Sequence, residues 1–515
     1  MHYLSKIFNN TFKKTSLNTL LLSMFLIYFC TAYFLVIPVG SFYYDEGWAA
    51  NIGYHIANGK TLYKDISAPY GPVVFHIYAF LITLFGKNFF VFRIAGILII
   101  ILQSYFSARI VSFFTKNKAI IIFTAFISLL PLGFYQSGRI TASSTAGLLT
   151  LMIAFTHLSY LRKRNRIYIA VTGVLLALLL LTKHNVFGLD LAANGILMLL
   201  VSISMYKKEG KIDYQYFLLP FLSFFTILLP YIASVLPYIT DLLNDTVSSI
   251  SQYGSSDMTI PYPMPFDLIE MSLGELRSAL FLYSIVPLTL AAGLIFYKLI
   301  KENNEFDLGI IFITLLSIFH YIEIYPLSDY SHYGRATIIY APYIGILLYL
   351  THKQQNTKAL YLLTLTLFLH LYQSPTFLIT NIKTVITKPV SSLSYLKHIR
   401  KLPEEDQILK IIDEIRTAKG SKIMIIGHAS VYYYLSDNIS GSRFNTITHH
   451  YLNNLDQRKV IQEIKTNEID YLIEAPSVRT QKELDELDIL GSYVRNNFSY
   501  KKEVDEFGFW YKTTD

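Results

Sequence analysis

Charge is scarce in this chain. Of its 515 residues, 16% are Asp, Glu, Lys or Arg and 53% are apolar, whereas a soluble protein carries about 25% charged residues. Cysteine is almost absent. Cys30 stands alone, which excludes an intrachain disulfide and leaves the compartment open. No HExxH, CxxC or glycine-rich phosphate loop is present, so the short motifs of zinc hydrolases, thiol redox proteins and P-loop enzymes are missing. Internal repeats and low-complexity tracts are missing too.

The chain has long apolar runs instead. A bilayer core takes about twenty residues of helix. Runs of this kind lie near 17–39, 89–114, 119–135, 143–161, 167–182, 185–206, 214–237, 278–299, 308–324, 336–351 and 359–380. They predict eleven transmembrane helices. The first run exceeds the ~7–15 residues of a signal peptide's apolar region and has no small-residue cleavage site behind it. It reads as a retained helix.

Basic residues alternate between the connections. Segments 1–16, 115–118, 162–166, 207–212, 298–306 and 352–358 hold 16 Lys and Arg in 47 residues; segments 40–88, 136–142, 182–185, 238–277 and 325–335 hold 7 in 111. By the positive-inside rule the first set is cytoplasmic. The net charge of +8 therefore reports topology, not a nucleic-acid partner. Eleven spans from an inner N-terminus place the C-terminus outside, with the long loops 40–88 and 238–277.

Composition changes near residue 385. "SKIMIIGHA" and "IDYLIEAP" read as buried strands, "QRKVIQEIKTN" and "QKELDELDILGSYVRNNF" as helices, and "YKKEVDEFGFWYKT" as a closing strand or hairpin. Such alternation predicts a small α/β domain. The division is a membrane domain over 1–384 and a soluble extracytoplasmic domain over 385–515.

The first loop opens with "SFYYDEGWAANIGYHIANGK". Trp48, Ala49, Ile52 and Ile56 share one helical face, Asn51, His55 and Asn58 the other, and Gly59 supplies a stop. This suits a short helix in the membrane interface, with Tyr43, Tyr44 and Trp48 at headgroup level. Asp45 has two readings: an N-cap accepting backbone N–H bonds, or a carboxylate held at the membrane surface for chemistry. Further on, Pro69, Gly71 and Pro72 interrupt the chain before an apolar helix ending at Gly86.

Several of these features resemble the membrane-embedded GT-C glycosyltransferases. They are the pair Asp45–Glu46 directly after the first helix, the interfacial helix, "GKTLYKD", "PYGP" leading into a helix that ends in "LFG", and Arg93 soon after. More narrowly the chain is similar to the bacterial protein-mannosyltransferase-like (glycosyltransferase family 39-like) branch. "LLTKHN", "SDYSHYGRATIIYAP" and the C-terminal tail resemble later segments of that family. The resemblance implies a polytopic α-helical membrane protein, GT-C-like with about eleven transmembrane helices, and a small C-terminal α/β extracytoplasmic domain. It also implies hexosyl or pentosyl transfer in the cytoplasmic membrane. The donor would be a polyprenyl-phosphate-linked sugar and the acceptor a glycan, lipid or protein. One departure stands out: some relatives carry Lys where this chain has Tyr70, so the phosphate needs another ligand here.

Such a transfer needs a base for the acceptor hydroxyl and positive charge for the leaving phosphate. Asp45 is the candidate base, with Glu46 orienting it, helping to hold a cation, or facing water. Lys183, His184, Arg139, Arg335 and His332 lie at outward helix ends, where the alternatives are phosphate binding and snorkelling to headgroups. Arg93 sits about five residues into an apolar run, where an unpaired charge costs ~2.5–3.5 kcal/mol, which predicts a carboxylate or phosphate partner. Asp65 and Tyr70 complete the candidate substrate-binding set. A divalent cation, Mg²⁺ or Mn²⁺, would take Asp45 and Glu46, with Asp65, Asp329 and His332 as further oxygen or nitrogen donors. The 238–277 loop reads as a lid or as an ordinary connector.

Rival classes are a transporter or flippase of lipid-linked sugars and a glycan polymerase or ligase. A transporter usually shows repeats and broken helices at the midplane, and a ligase would be expected to carry a large basic outer loop. The 238–277 loop holds one Arg and no Lys.

Overall fold

The structure, a computed structural model, describes residues 15–35, 37, 45–135, 139–248, 264, 271–302, 307–323, 337–371, 374–401, 405–418, 422–448, 452–476 and 483–513. Apolar sequence becomes helix through most of its length. Helix α1 is Leu17–Leu35, α2 Asp45–Ala57, α3 Pro72–Phe85, α4 Phe89–Val111 and α5 Lys118–Tyr135. Then come α6 Ala142–Lys163, α7 Arg166–Leu180, α8 His184–Glu209, α9 Gln215–Val235 and α10 Ile239–Leu243. The second half of the bundle is α11 Leu273–Leu282, α12 Ile285–Lys301, α13 Leu308–Ile322, α14 Tyr340–Gln354, α15 Thr357–Leu371 and α16 Ser374–Thr387.

Among the described residues, six helical stretches are long and apolar enough to cross a membrane: Leu17–Leu35, Phe89–Val111, Ala142–Lys163, His184–Glu209, Gln215–Val247 and Ala279–Lys301. Shorter apolar helices, among them Pro72–Phe85, Arg166–Leu180 and Leu308–Ile322, lie between them. Their outward sides expose large apolar residues, such as Ile27 at 68% and Phe221 at 59%. An aqueous surface does not tolerate many of these, but lipid does. The run near 278–299 is not one unbroken helix. It turns at Tyr283–Ser284, where Pro287 has no N–H to offer the Tyr283 carbonyl.

After the bundle the chain builds a four-stranded sheet, β1 Ile423–Ile426, β2 Tyr471–Glu474, β3 Phe498–Val504 and β4 Phe507–Lys512, in the order β1-β2-β4-β3. β1 and β2 pair in parallel, and β4 joins antiparallel to β2 and β3. Every residue of β1 and β2 is buried, as expected of strands covered on both faces. Helices α17 (Glu405–Thr417), α18 (Val431–Ser436), α19 (Asn454–Thr466) and α20 (Asp488–Asn497) flank them. In α17, Ile408, Ile411, Ile412 and Ile415 form the buried stripe. The last helix is shorter than the "QKELDELDILGSYVRNNF" pattern predicts, beginning at Asp488 after a 3₁₀ turn at Glu483–Asp485.

The sheet region is fused to the first loop through one apolar core that joins Ala49, Ile52, Phe75 and Phe92 to Ile411, Ile425, Tyr432 and Phe509. That changes the expected setting of α2. Asn51 and His55 of its polar face are buried within the protein, while Asn58 is exposed. Asn51 donates to Asn445 Oδ1 at 3.1 Å, and the His55 ring stands edge-on to Tyr433. The helix ends where predicted: Gly59 takes φ +86°, a conformation that costs glycine nothing. Tyr43 and Tyr44 lie outside the described residues.

Candidate active site

Asp45 is the first residue of α2 and is exposed. The free N–H groups of a helix's first turn favour a negative charge there. Glu46, one residue on, is turned the opposite way and buried. Arg93 Nε donates to its two oxygens at 2.8 and 2.9 Å, and Arg93 Nη2 to Oε2 at 2.6 Å. Neither side chain is more than 1% exposed. The carboxylate partner that Arg93's place in an apolar run demanded is therefore Glu46.

Arg139 is the next charge in this cluster. It is half-buried just before α6, and the charges acting on it are Arg93, Glu46 and Asp45, with Tyr78 beside them. Burial, then Arg93, lowers its pKa, against the opposing pull of the two carboxylates. Tyr78 ties α3 to this segment by donating to the Ile140 carbonyl at 3.0 Å. Thr141 and Ser144 then start α6 with a capping box.

The segment leads directly to Lys183. Lys183 Nζ donates to Ser143 Oγ at 2.8 Å and pairs with Glu323. Arg139 and Ser143 are four residues apart, so their backbones are separated by at most about 14 Å. The "PYGP" motif closes the other side. Gly71 N–H donates to the Thr182 carbonyl at 3.3 Å and Val73 N–H to the Leu181 carbonyl at 3.1 Å. A Cβ at Gly71 would come within 2.2 Å of the Leu181 carbonyl oxygen, so only glycine permits this approach. Tyr70, immediately before it, stands edge-on to Trp48 of α2 with ring centroids 6.0 Å apart. The first loop and the "LLTKHN" segment, far apart in sequence, thus meet at Gly71–Val73 and Leu181–Thr182, with Asp45 and Arg139 in one charge cluster and Lys183 on Ser143.

Other sequence candidates fall elsewhere. His184 begins α8 beside Lys183, with its Nε2 buried. Asp65 is used in a local turn, accepting from Thr61 N–H at 2.8 Å. Asp329, His332 and Arg335 lie outside the described residues, as does most of the 238–277 loop. Among the described residues no three His, Cys, Asp or Glu side chains gather as metal donors, and both Glu46 oxygens face Arg93. Glu46 is thus engaged by Arg93 and not by a cation shared with Asp45 in this arrangement. A cavity of about 450 Å³ lies near the other end of α2, lined by Ile56, Lys60, Tyr63, His76, Tyr231 and Tyr238 among others. None of the site residues lines it.

The sequence reading missed one group. Asp190 of α8, fully buried, accepts from Thr150 Oγ1 at 2.7 Å and contacts His320 Nε2 at 2.8 Å. His320 Nδ1 lies 3.7 Å from Glu323, the partner of Lys183. The available signal was the one that singled out Arg93: an ionisable residue inside an apolar run.

No family model matches the chain, and no curated protein matches its sequence. Solved structures do match. ArnT of Cupriavidus metallidurans bound to undecaprenyl phosphate aligns with TM-score 0.54 at 12% identity, over 96% of this chain and 97% of ArnT. The oligosaccharyltransferase AglB of Archaeoglobus fulgidus, in complex with an inhibitory peptide and a dolichol-phosphate, aligns with TM-score 0.52 at 11% identity, over 97% of this chain and 74% of AglB. The same archaeal enzyme tethered to an acceptor peptide containing the NVT sequon gives 0.51 at 11% identity, over 96% and 74%. The fold is the one found in ArnT and AglB, in a multi-pass membrane protein.

Proposed function

We propose that this protein is a glycosyltransferase of the cytoplasmic membrane. It moves a hexosyl or pentosyl unit from a polyprenyl-phosphate carrier to an acceptor on the outer face, within the protein-mannosyltransferase-like branch. The observation that carries this is the exposed carboxylate of Asp45 in one charge cluster with Arg139, while Lys183 is bound to Ser143, four residues beyond Arg139. Structural likeness to ArnT, crystallised with undecaprenyl phosphate, and to AglB, with dolichol-phosphate, supports a lipid-phosphate donor. The acceptor is a glycan, lipid or protein.

In this reading Asp45 is the general base for the acceptor hydroxyl, helped by its exposure. Glu46 positions it from below, since Arg93 fixes Glu46 and the first turn of α2 with it. Lys183 and Arg139 take the charge that builds on the leaving phosphate, and Arg335 and His332, outside the described residues, are the further candidates for it. Tyr70 packs at the wall where some relatives place Lys. Eleven spans run from a cytoplasmic N-terminus, and residues 385–515 form an extracytoplasmic domain.

Asp45→Asn tests the base. Asn keeps the size and much of the hydrogen bonding, and serves about as well as Asp at a helix start, so folding should be unchanged. Loss of a general base typically costs ~10²–10⁴ in rate. Consumption of a lipid-linked sugar by purified protein, over a panel of donors, should fall by that factor. A folded Asp45→Asn variant with full turnover would remove the assignment.

A further inference from the structure

Lys183 is not an unoccupied cation waiting for a phosphate. Its side chain is 11% exposed and pairs with Glu323, itself 6% exposed. A carboxylate on the candidate phosphate ligand is a direct competitor for any anion, so its surroundings decide what happens when the anion arrives. Glu323 Oε1 is the oxygen on Lys183; Oε2 is 3.7 Å from His320 Nδ1. His320 is fixed from its other nitrogen, Nε2, by Asp190 Oδ1 at 2.8 Å, and Asp190 is in turn fixed by Thr150 at 2.7 Å. A carboxylate that let go of Lys183 would therefore need a shift of only about 1 Å to reach hydrogen-bonding distance from His320.

We propose that the carrier phosphate is taken up at Lys183 by exchange with Glu323, and that His320, held on Asp190, receives the displaced carboxylate. The proposal rests on the reading of Lys183 as a phosphate ligand. The cluster keeps Lys183 ordered in the apo state and gives Glu323 a second seat, so that no carboxylate is stranded in an apolar setting. Glu323, His320 and Asp190 are positioning residues, since they act through Lys183.

The polar chain continues along the bundle, but not as a proton path. Asn194 Nδ2 donates to the Asp190 backbone carbonyl at 2.8 Å, His157 Nδ1 meets Asn194 Oδ1 at 2.8 Å, and His157 Nε2 meets the Tyr216 hydroxyl. An amide and a backbone carbonyl carry no proton that can be handed on at ordinary cost. These links fix α6, α8 and α9 to one another and leave the exchange local to Lys183.

The test uses the full-length protein in nanodiscs and undecaprenyl phosphate as probe, with binding measured directly. Glu323→Gln removes the competing charge at constant shape and should tighten binding by about tenfold, or about 1.4 kcal/mol. His320→Gln, which keeps a polar end for Asp190, should weaken binding by a similar factor in the wild-type background and leave it unchanged in the Glu323→Gln background. A merely structural role for His320 would weaken both backgrounds equally, and that result overturns the exchange. So does a Glu323→Gln variant that binds no better than wild type, a comparison that stands even where His320→Gln does not fold. Lys183→Met separates the two levels. If it binds like wild type, the phosphate reading of Lys183 fails; if it loses binding while Glu323 and His320 act independently, only the exchange fails.

Discussion

Two arginine–carboxylate contacts of the same length occupy opposite settings. Arg93 meets Glu46 at 2.6 Å with side chains 1% and 0% exposed; Arg162 meets Asp307 at 2.6 Å with side chains 46% and 37% exposed. Distance does not distinguish them, but surroundings do. In water the attraction between the charges is largely screened, and the pair must also restrain two mobile side chains. In the interior both ions have lost their hydration, and each depends on the other to offset that loss. The exposed pair is a local convenience. The buried pair fixes the first turn of α2 against α4, and so fixes Asp45.

The largest effect should come from separating the buried pair. Arg93→Met or Glu46→Gln each leaves a charge without its partner in an apolar site, a change that typically costs 3–5 kcal/mol, or about that range here. Thermal unfolding in detergent should show a large drop for each single variant. The double variant Glu46→Met/Arg93→Met should recover part of it, because no lone charge remains. Its activity should stay low, since nothing then holds the first turn of α2. Single variants as stable as wild type would mean that water reaches this pair.

A second region depends on a group that is uncharged in the fold. His55 packs between α2 and the sheet region, 2% exposed, and burial, helped by Lys60, lowers its pKa to about 4. An unfolded histidine titrates near 6.5. The folded pKa is the depressed one, so protonation favours the unfolded or undocked state. The contribution to stability is complete above pH 6.5 and is lost as pH falls through 4. Its full size is on the order of 3 kcal/mol. Limited proteolysis of the junction between α2 and the 422–448 segment should accelerate across that window, and His55→Gln should flatten the dependence. An unchanged pH profile in the variant would assign the acid sensitivity to other groups, such as Glu405, whose pKa is held low because hydrogen bonds from Ser392 and Ser391 outweigh its burial.

How much of this was legible in sequence follows the same division. Arg93 stands out because a charge within an apolar run needs a partner, but Glu46 is 47 residues earlier, and separation along the chain carries no signal of contact. The apolar face of α2 was legible from its spacing. That two residues of its polar face are buried was not legible, because Asn51 and His55 are covered by residues near 433 and 445, almost four hundred positions later. Asp190 escaped notice because one acid hardly alters the apolar average of a long run, although its burial makes it costly. Gly71 was read as a breaker. Its tight contact with Leu181 is a tertiary fact that local pattern does not contain.

The smallest effect should come from the exposed pair, and it sharpens the opening contrast. Arg162 is in the last turn of α6, where a cation also meets the helix's carbonyl end, and Asp307 accepts from Gly309 N–H at 2.8 Å as the N-cap of α13. Arg162→Ala removes the ion pair and leaves the cap intact, so the loss should be about 0–1 kcal/mol and should fade further as salt rises, since exposed charges are screened over about 8 Å at physiological ionic strength. Asp307→Ala removes both, and a lost cap alone costs about 1 kcal/mol. Unfolding of the two variants at low and high salt separates the contributions: the Arg162 effect should vanish with salt and the remaining Asp307 effect should not. Equal salt dependence in the two variants would make the ion pair, not the cap, the main role of Asp307. A salt-resistant loss above about 2 kcal/mol at Arg162 would erase the distinction between the two arginines.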